Sequence, residues 1–497
     1  MDRADKIRDA MKWTFWRYRE VAWGADDVRP VTGGNSTSRN GWGAFIVDAS
    51  TTLAVMGLWE ELALSVSHIL SINFEEADGL VDPFETTIRY LGGLVSLVDL
   101  VDAGIVPSSV VNATMRDGIL AQAVRVAEKL GSAYTTPTGL PWTRVNFTTD
   151  EGLPDPPPDG ELDKPRPNQS IGLARAGSSI LENRVLTRLT GDGVYATNST
   201  RAWSSLVWSK YLSPWPGMPN SPIDIITGAP TGRQRHWDAG QDSYYEYLLK
   251  ITLLAPPSDP YMETYKSRFL EAAYSLRSHL ASRSAPAKEH KMQHLFIGRQ
   301  DAKFFINLQS HLACFAPGTI LLGSAFLDQP YLRTFALALL EGCRHAYSSS
   351  STGIAPEKWA WKPKLGYHDP IYSPSNPREL SEQEKTGIWS IDPVYKLRPE
   401  YVESLFYAWR ITGQERYRVW AWEAWTAIEN NCKVEFGFAG LRDVGKKDAE
   451  WRFIDHQESF FAAETLKYLW LTFAGTEVAS LDRWVFSTEG HLFRMIR

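Results

Sequence analysis

Apolar residues recur along most of this chain at the spacing of an α-helix, and the segments that carry the spacing come in pairs. From Asp5 to Ala22 the period runs through Ile7, Met11, Phe15 and Tyr18. Next, Phe45-Ile46-Val47-Asp48 leads into a helix through Leu53, Met56, Leu58 and Leu62, with 64–76 as its partner. The same reading predicts helices at 84–99, 116–132, 172–189, 197–209, 242–254, 260–281, 308–315, 330–345, 400–412, 415–431 and 456–473. Short strands fit 292–297, 319–321 and the C-terminal 484–493. Paired in order, the helices make about seven hairpins, and the turns Leu189-Thr190-Gly191-Asp192 and Ile411-Thr412-Gly413-Gln414 look alike, as a repeated design requires. Between them, 153–170 with Pro156-Pro157-Pro158 reads as a surface loop, and 211–240 and 346–398 as long connections of the length that usually carries function.

Several helices begin with an acid. In Arg398-Pro399-Glu400-Tyr401-Val402-Glu403-Ser404, Pro399 suits a first helical position and Leu405 to Trp409 supply a face to bury. Glu400 and Glu403, three apart, share a helical face, with Arg398 just outside. Acids at a helix start are most often caps. Repetition changes that reading: Asp242-Ser243-Tyr244, Glu458-Ser459-Phe460 and Glu85-Thr86-Thr87 follow the same grammar. Four such starts fit a ring of hairpins that turn one end toward a common place.

Composition narrows the function. The 497 residues, 43% hydrophobic and 22% charged with a net charge of -6 and no Lys/Arg block, argue against a dedicated nucleic-acid surface. Twenty Trp and twenty Tyr suit stacking on sugars as well as core filling. No apolar run reaches the ~18 residues of a membrane span. Acceptor triplets for N-glycosylation begin at Asn35, Asn112, Asn146, Asn168 and Asn198, all in the first 200 residues. Three Cys suggest one pair and one free thiol in a secretory-pathway protein. The expected location is the secretory lumen (endoplasmic reticulum or Golgi) or the exterior, with any leader or membrane anchor outside this chain.

A toroid with acids on its inner rim suits glycoside hydrolysis, in which one carboxyl protonates the leaving oxygen and another activates water or attacks the sugar. Sequence spacing leaves inversion, retention and a non-catalytic lectin all open.

The motifs resemble glycoside hydrolase family 47, the class I α-1,2-mannosidases. The resemblance runs through Ala22-Trp23-Gly24-Ala25-Asp26-Asp27-Val28-Arg29-Pro30, Phe84-Glu85-Thr86-Thr87-Ile88-Arg89-Tyr90-Leu91, Thr136-Pro137-Thr138-Gly139-Leu140-Pro141, Asp242 to Lys250, Thr352-Gly353-Ile354-Ala355-Pro356-Glu357, Arg398 to Arg410, Glu458 to Leu469 and Phe486-Ser487-Thr488-Glu489. It implies an all-α (αα)7 barrel spanning 1–497 as one catalytic domain, with small β-hairpins in its loops and a C-terminal β segment plugging the barrel. It also implies calcium-dependent, inverting, exo-acting removal of α-1,2-linked mannose from high-mannose N-glycans. The expected partner is the glycan or glycoprotein substrate, and the expected state a monomer. By position, Glu85 matches the general acid, acting directly or through a water, with Arg89 beside it; Glu400 matches the base; Asp242 matches a third essential carboxylate. Thr488 matches the Ca²⁺ ligand. Glu182, Glu357, Glu403, Glu458, Glu464 and Glu489 match acids that hold the ion's waters and the sugar, and Arg398 and His311 match substrate-site residues. Cys314 and Cys343 match the family disulfide, leaving Cys432 free.

Two departures stand out. Thr51-Thr52-Leu53 replaces a common Asp-Thr-Leu, which implies an altered structural contact. Gly240 stands where the endoplasmic-reticulum type has an arginine that reads the glycan branch, which implies a broader, Golgi or secreted fungal-like preference. The alternative is a quality-control mannosidase-like protein that binds or slowly trims glycans on misfolded glycoproteins, a reading that Cys432 keeps open.

Overall fold

The computed structural model describes residues 2–156, 169–211, 213–256, 258–364, 371–447 and 451–495. Most of the proline-rich stretch at 153–170 and Asn168 lie outside the described residues.

Each hairpin joins a more deeply buried helix to one that buries a single face. Ala44–Met56 buries every one of its residues, as a helix inside a core must. Gly57, at φ 68°, ends it in the left-handed conformation that costs glycine least, and the amphipathic Trp59–Ile69 returns outside it. The same pairing joins Gly92–Asp102 to Ala113–Leu130, Ile180–Thr190 to Val194–Val207, and Asp242–Leu254 to Met262–Ser275. It continues with Ala316–Phe326 and Pro330–Ser348, then Glu400–Thr412 and Glu415–Cys432. Arg3–Ala22 packs on Leu466–Phe473, so the first and last helices make the seventh pair and close the ring. Each inner helix touches the next in order, and Leu466–Phe473 returns to Ala44–Met56. The result is the expected toroid of helical hairpins, with one continuous hydrophobic core.

The expected C-terminal plug is an antiparallel hairpin, Trp484–Phe486 with Leu492–Arg494, paired Val485 to Phe493. It packs against Gly92–Asp102 and Asp242–Leu254, and Phe486 meets Phe406 and Tyr468 edge-on or tilted at 5.4 and 5.5 Å between ring centres. Its turn, 487–491, is thereby carried into the ring.

Several expectations need correction. The first pair breaks at Gly57 rather than near 63, because glycine offers a left-handed stop that the apolar period conceals. The predicted helix at 308–315 is a strand, Leu308–Ser310, followed by a 3-10 turn, His311–Phe315, since Leu308–Ser310 pairs with Lys358–Trp361. The predicted strand at 319–321 lies inside helix Ala316–Phe326, where neighbouring helices decide a short apolar run. The connections at 211–240 and 346–398 are not bare loops: they hold strands Ser221–Asp224, Pro230–Arg235, Lys358–Trp361 and Ile388–Asp392 and helix Pro377–Thr386. Pro399 is the residue before the helix, with Glu400 first inside it.

Candidate active site

Three of the acid-led helix starts meet at one cavity of about 460 Å³. Glu85 reaches it from the short helix Pro83–Thr86, whose start is capped by the Asp82 carboxylate accepting from the amides of Phe84 and Glu85. Asp242 and Glu400 open Asp242–Leu254 and Glu400–Thr412. Arg89, Arg398, Glu403, Glu464, Thr488 and Glu489 also line the cavity, whereas Glu182, His311, Glu357 and Glu458 do not.

The three leading acids differ in environment. Glu85 accepts from Arg89 Nε at 2.8 Å and from Arg39 Nη1 at 2.9 Å. Burial alone would raise its pKa, but the two guanidiniums outweigh burial and hold it below the ordinary range. Asp242 has no ion pair among the described residues. Burial, with Asp238, Glu246 and Glu400 nearby, pushes it up to about 7 against the Ser243 amide that favours its charge. Glu400 is held by His311, whose Nδ1 lies 2.7 Å from Oε2 while Nε2 lies 2.7 Å from the Tyr347 hydroxyl. Arg398 stands 3.9 Å from the other Glu400 oxygen and is itself clamped by Glu357, with N–O distances of 2.7 to 3.0 Å. His311 and Glu357 therefore position groups that line the cavity.

The floor is an excess of carboxyl groups. Tyr247 donates to Glu182 at 2.5 Å and accepts from the Thr488 amide at 3.2 Å, so the hairpin tip is tied to a buried acid. Burial pushes Glu182 and Glu489 up to about 8, and raises Glu403 and Glu464 well above their ordinary values. Glu182 Oε2 is buried with no partner. Lys250 pairs with Glu246, and Arg89 with Glu489, Glu85 and Asp48. These cations leave Glu182, Glu403 and Glu464 without an ion pair among the described residues. A set of oxygen donors of this kind can hold a hard divalent cation.

Sequence reasoning missed several participants. Phe460 lines the cavity with the guanidiniums of Arg89 and Arg398 5.8 and 5.7 Å from its ring centre. Arg39 bridges Glu85 to Glu458, whose Oε2 is also 3.5 Å from His456. Arg144 and Arg175 both bind Asp82 on the cavity wall. Phe460 stood inside a motif already singled out; Arg39, Arg144 and Arg175 carry no local signal, because only folding brings them to their partners.

The two departures acquire locations. Thr51 is fully buried behind the site, 3.0 Å from His491 Nδ1 and 2.9 Å from Lys467 Nζ, where an aspartate would be an ionic partner for that lysine. Without one, burial drives Lys467 down to about 7. Gly240, at φ +89°, lines the cavity, and a Cβ built there meets nothing within 4 Å. Cys314 and Cys343 form a disulfide, and Cys432 is a buried free thiol.

The profile of Glycosyl hydrolase family 47 matches residues 10–495. Mannosyl-oligosaccharide alpha-1,2-mannosidase 1B of Aspergillus oryzae is 37% identical over 99% of this chain and 92% of its own length. Mannosyl-oligosaccharide alpha-1,2-mannosidase of Penicillium citrinum is 35% identical over 100% and 92%. The solved structure of alpha-1,2-mannosidase from Trichoderma reesei superimposes with a TM-score of 0.90 at 30% identity, covering 99% of both chains. Motifs, hairpin ring and cavity acids thus converge with these likenesses on one conclusion: the chain belongs to glycosyl hydrolase family 47.

Proposed function

We propose that the protein is an exo-acting, inverting α-1,2-mannosidase of high-mannose N-glycans that depends on Ca²⁺. The observation that carries this reading is the meeting of Glu85, Asp242 and Glu400 at one cavity, each in a different electrostatic setting. Glu400, fixed by His311, takes the proton of the attacking water. The motif match gives Glu85 the acid role, but its arginines favour its ionised form, so we assign the proton for the leaving oxygen to Asp242, whose pKa of about 7 keeps it largely protonated below neutrality. Glu85, tied to two arginines, stays ionised and orients the sugar or a relaying water. Phe460 offers a flat apolar face to the ring.

Thr488 would hold the calcium ion directly, through its hydroxyl and carbonyl oxygens, with Glu182, Glu403, Glu464 and Glu489 holding its waters. Bound there, the ion would supply positive charge and orientation for sugar hydroxyls. The donor set suits a hard cation surrounded by water: among the described residues, no three of these carboxylates converge closely enough to form a direct cage.

Cys432 argues against the quality-control alternative. It is fully buried, and burial raises its thiol pKa far out of the reactive range, so it suits no redox partner. No described helix is long and apolar enough to cross a membrane. We place the protein in the secretory lumen or outside the cell on the family reading. Gly240 supports a broad branch preference, since its open side leaves room for more than one glycan branch.

The test is incubation with a Man9 N-glycan, with and without a calcium chelator, following mannose release by mass spectrometry and the first product anomer by proton NMR. The reading requires chelator-sensitive release of β-mannose. No release refutes the activity, and first appearance of the α-anomer refutes inversion.

A further inference from the structure

Away from the cavity, three of the chain's ten histidines converge. His290 and His294 lie on the loop that follows strand Ala281–Arg283, and His345 lies in the last turn of helix Pro330–Ser348. Their ligand atoms fall within 4.8 Å of one another, and no other group of three or more His, Cys, Asp or Glu side chains does so among the described residues. We propose that His290, His294 and His345 form a three-imidazole site for a borderline divalent transition metal of the zinc class, cross-linking this loop to the helix.

The surroundings supply several of the features such a site requires. His345 Nε2 is 2.7 Å from the carbonyl oxygen of Thr386, the last residue of helix Pro377–Thr386. A carbonyl only accepts, so Nε2 carries the proton and Nδ1 keeps a free lone pair. A backbone carbonyl that fixes the tautomer of a ligating histidine is the usual outer support of a metal centre. The loop is closed on itself: Ser284 N donates to His294 O at 2.8 Å, His294 N to Ser284 Oγ at 3.0 Å, and Ala287 N to His290 O at 2.8 Å. This holds His290 Nε2 2.9 Å from His294 Nε2, so without a metal one imidazole must donate to the other. Two nitrogens on a tetrahedral zinc stand about 3.3 Å apart, given bonds of about 2.0–2.1 Å, close to the spacing of this pair. The three rings are stacked, with centres 3.9 to 5.1 Å apart and planes within 24° of parallel, so binding an ion requires them to turn until their in-plane lone pairs converge. On the loop, Lys291 donates to the carbonyls of Ala287 and Lys288, while the guanidiniums of Arg283 and Arg344 act on His294 and His345 and favour their neutral, ligating form. His290 and His294 are half-buried, so the ion has a path in and a position for water. None of the three lines the catalytic cavity, and imidazole nitrogens suit zinc where oxygen-seeking calcium does not bind.

The test uses the full chain stripped with a chelator and dialysed. Zn²⁺ alone is titrated by calorimetry, Co²⁺ supplies a visible-absorption signature of tetrahedral nitrogen ligation, and melting is followed by circular dichroism. One zinc per chain is expected, with a higher Tm and no displacement by excess calcium. His290→Asn with His294→Asn should weaken binding by about 100-fold or more and abolish the Tm gain, while leaving the metal-free spectrum unchanged. His290→Asn alone, a half-buried loop change, serves if the double variant folds poorly. Absence of zinc binding, equal affinity in the variants, or displacement by calcium overturns the proposal.

Discussion

Replacing Asp242 by Asn tests where the catalytic proton resides. The amide is nearly isosteric and can still accept from the Ser243 amide, 2.9 Å away, but has no acidic proton. Burial and three neighbouring carboxylates set the Asp242 pKa at about 7 against an ordinary 3.8. At pH 6 such a group is ~90% protonated, where an ordinary aspartate is protonated below ~1%. A general acid supplies about 10²–10⁴-fold, or ~3–5 kcal/mol of barrier. In the unaltered enzyme, kcat/KM measured on Man9 glycan should fall about tenfold per pH unit above roughly pH 7 as Asp242 loses its proton. The Asp242→Asn variant should lose about 10²–10⁴-fold near pH 6 and lose that alkaline limb. Activity of Asp242→Asn on α-mannosyl fluoride, whose leaving group needs little protonation, should be far better preserved. If the limb survives unchanged in Asp242→Asn and disappears in Glu85→Gln, the proton resides on Glu85 and the electrostatic reasoning fails.

Four further outcomes follow from named contacts. His311→Ala frees Glu400 from its 2.7 Å partner and should lower kcat by about 10–100-fold with KM little changed, with partial recovery in His311→Gln; an unaltered kcat removes His311 from positioning the base. Thr51→Asp places an acid against Lys467. In the unaltered protein that lysine, lowered to about 7, makes the unfolded chain bind more protons between pH 7 and 10.5, so its contribution to stability rises with pH there; the substitution should raise Tm at pH 6 more than at pH 10. Gly240→Arg should narrow the mix of Man8 isomers released from Man9, and carries a strain of about 1–2 kcal/mol at φ +89°; an unchanged isomer ratio refutes a branch-reading position. Cys343→Ser opens a disulfide that spans 29 residues and should cost about 3.6 kcal/mol, read as a lower denaturation midpoint.

The legible part of the site was the part encoded locally. Pro399-Glu400 and Asp242-Ser243 announce helix starts in a few residues, and both helices, 242–254 and 400–412, lie where the apolar period predicts. Helix 44–56 was placed too late because a helix buried on every side has no solvent-facing stripe to mark its ends. Leu308–Ser310 read as helix because its true partner, Lys358–Trp361, is some fifty residues away.

Sequence by itself determined the hairpin plan, the acids at helix starts and the family, because periodicity, capping and motif order are properties of neighbouring residues. Tertiary structure alone decided which acids carry charge. Glu85 and Asp242 open helices in the same grammar, yet Arg39 and Arg89 depress one while burial among carboxylates raises the other. It likewise decided that His311 holds Glu400 and that His290, His294 and His345 meet. Each of these depends on distances between residues far apart in the chain and on exclusion of water, and neither is written in the local order of side chains.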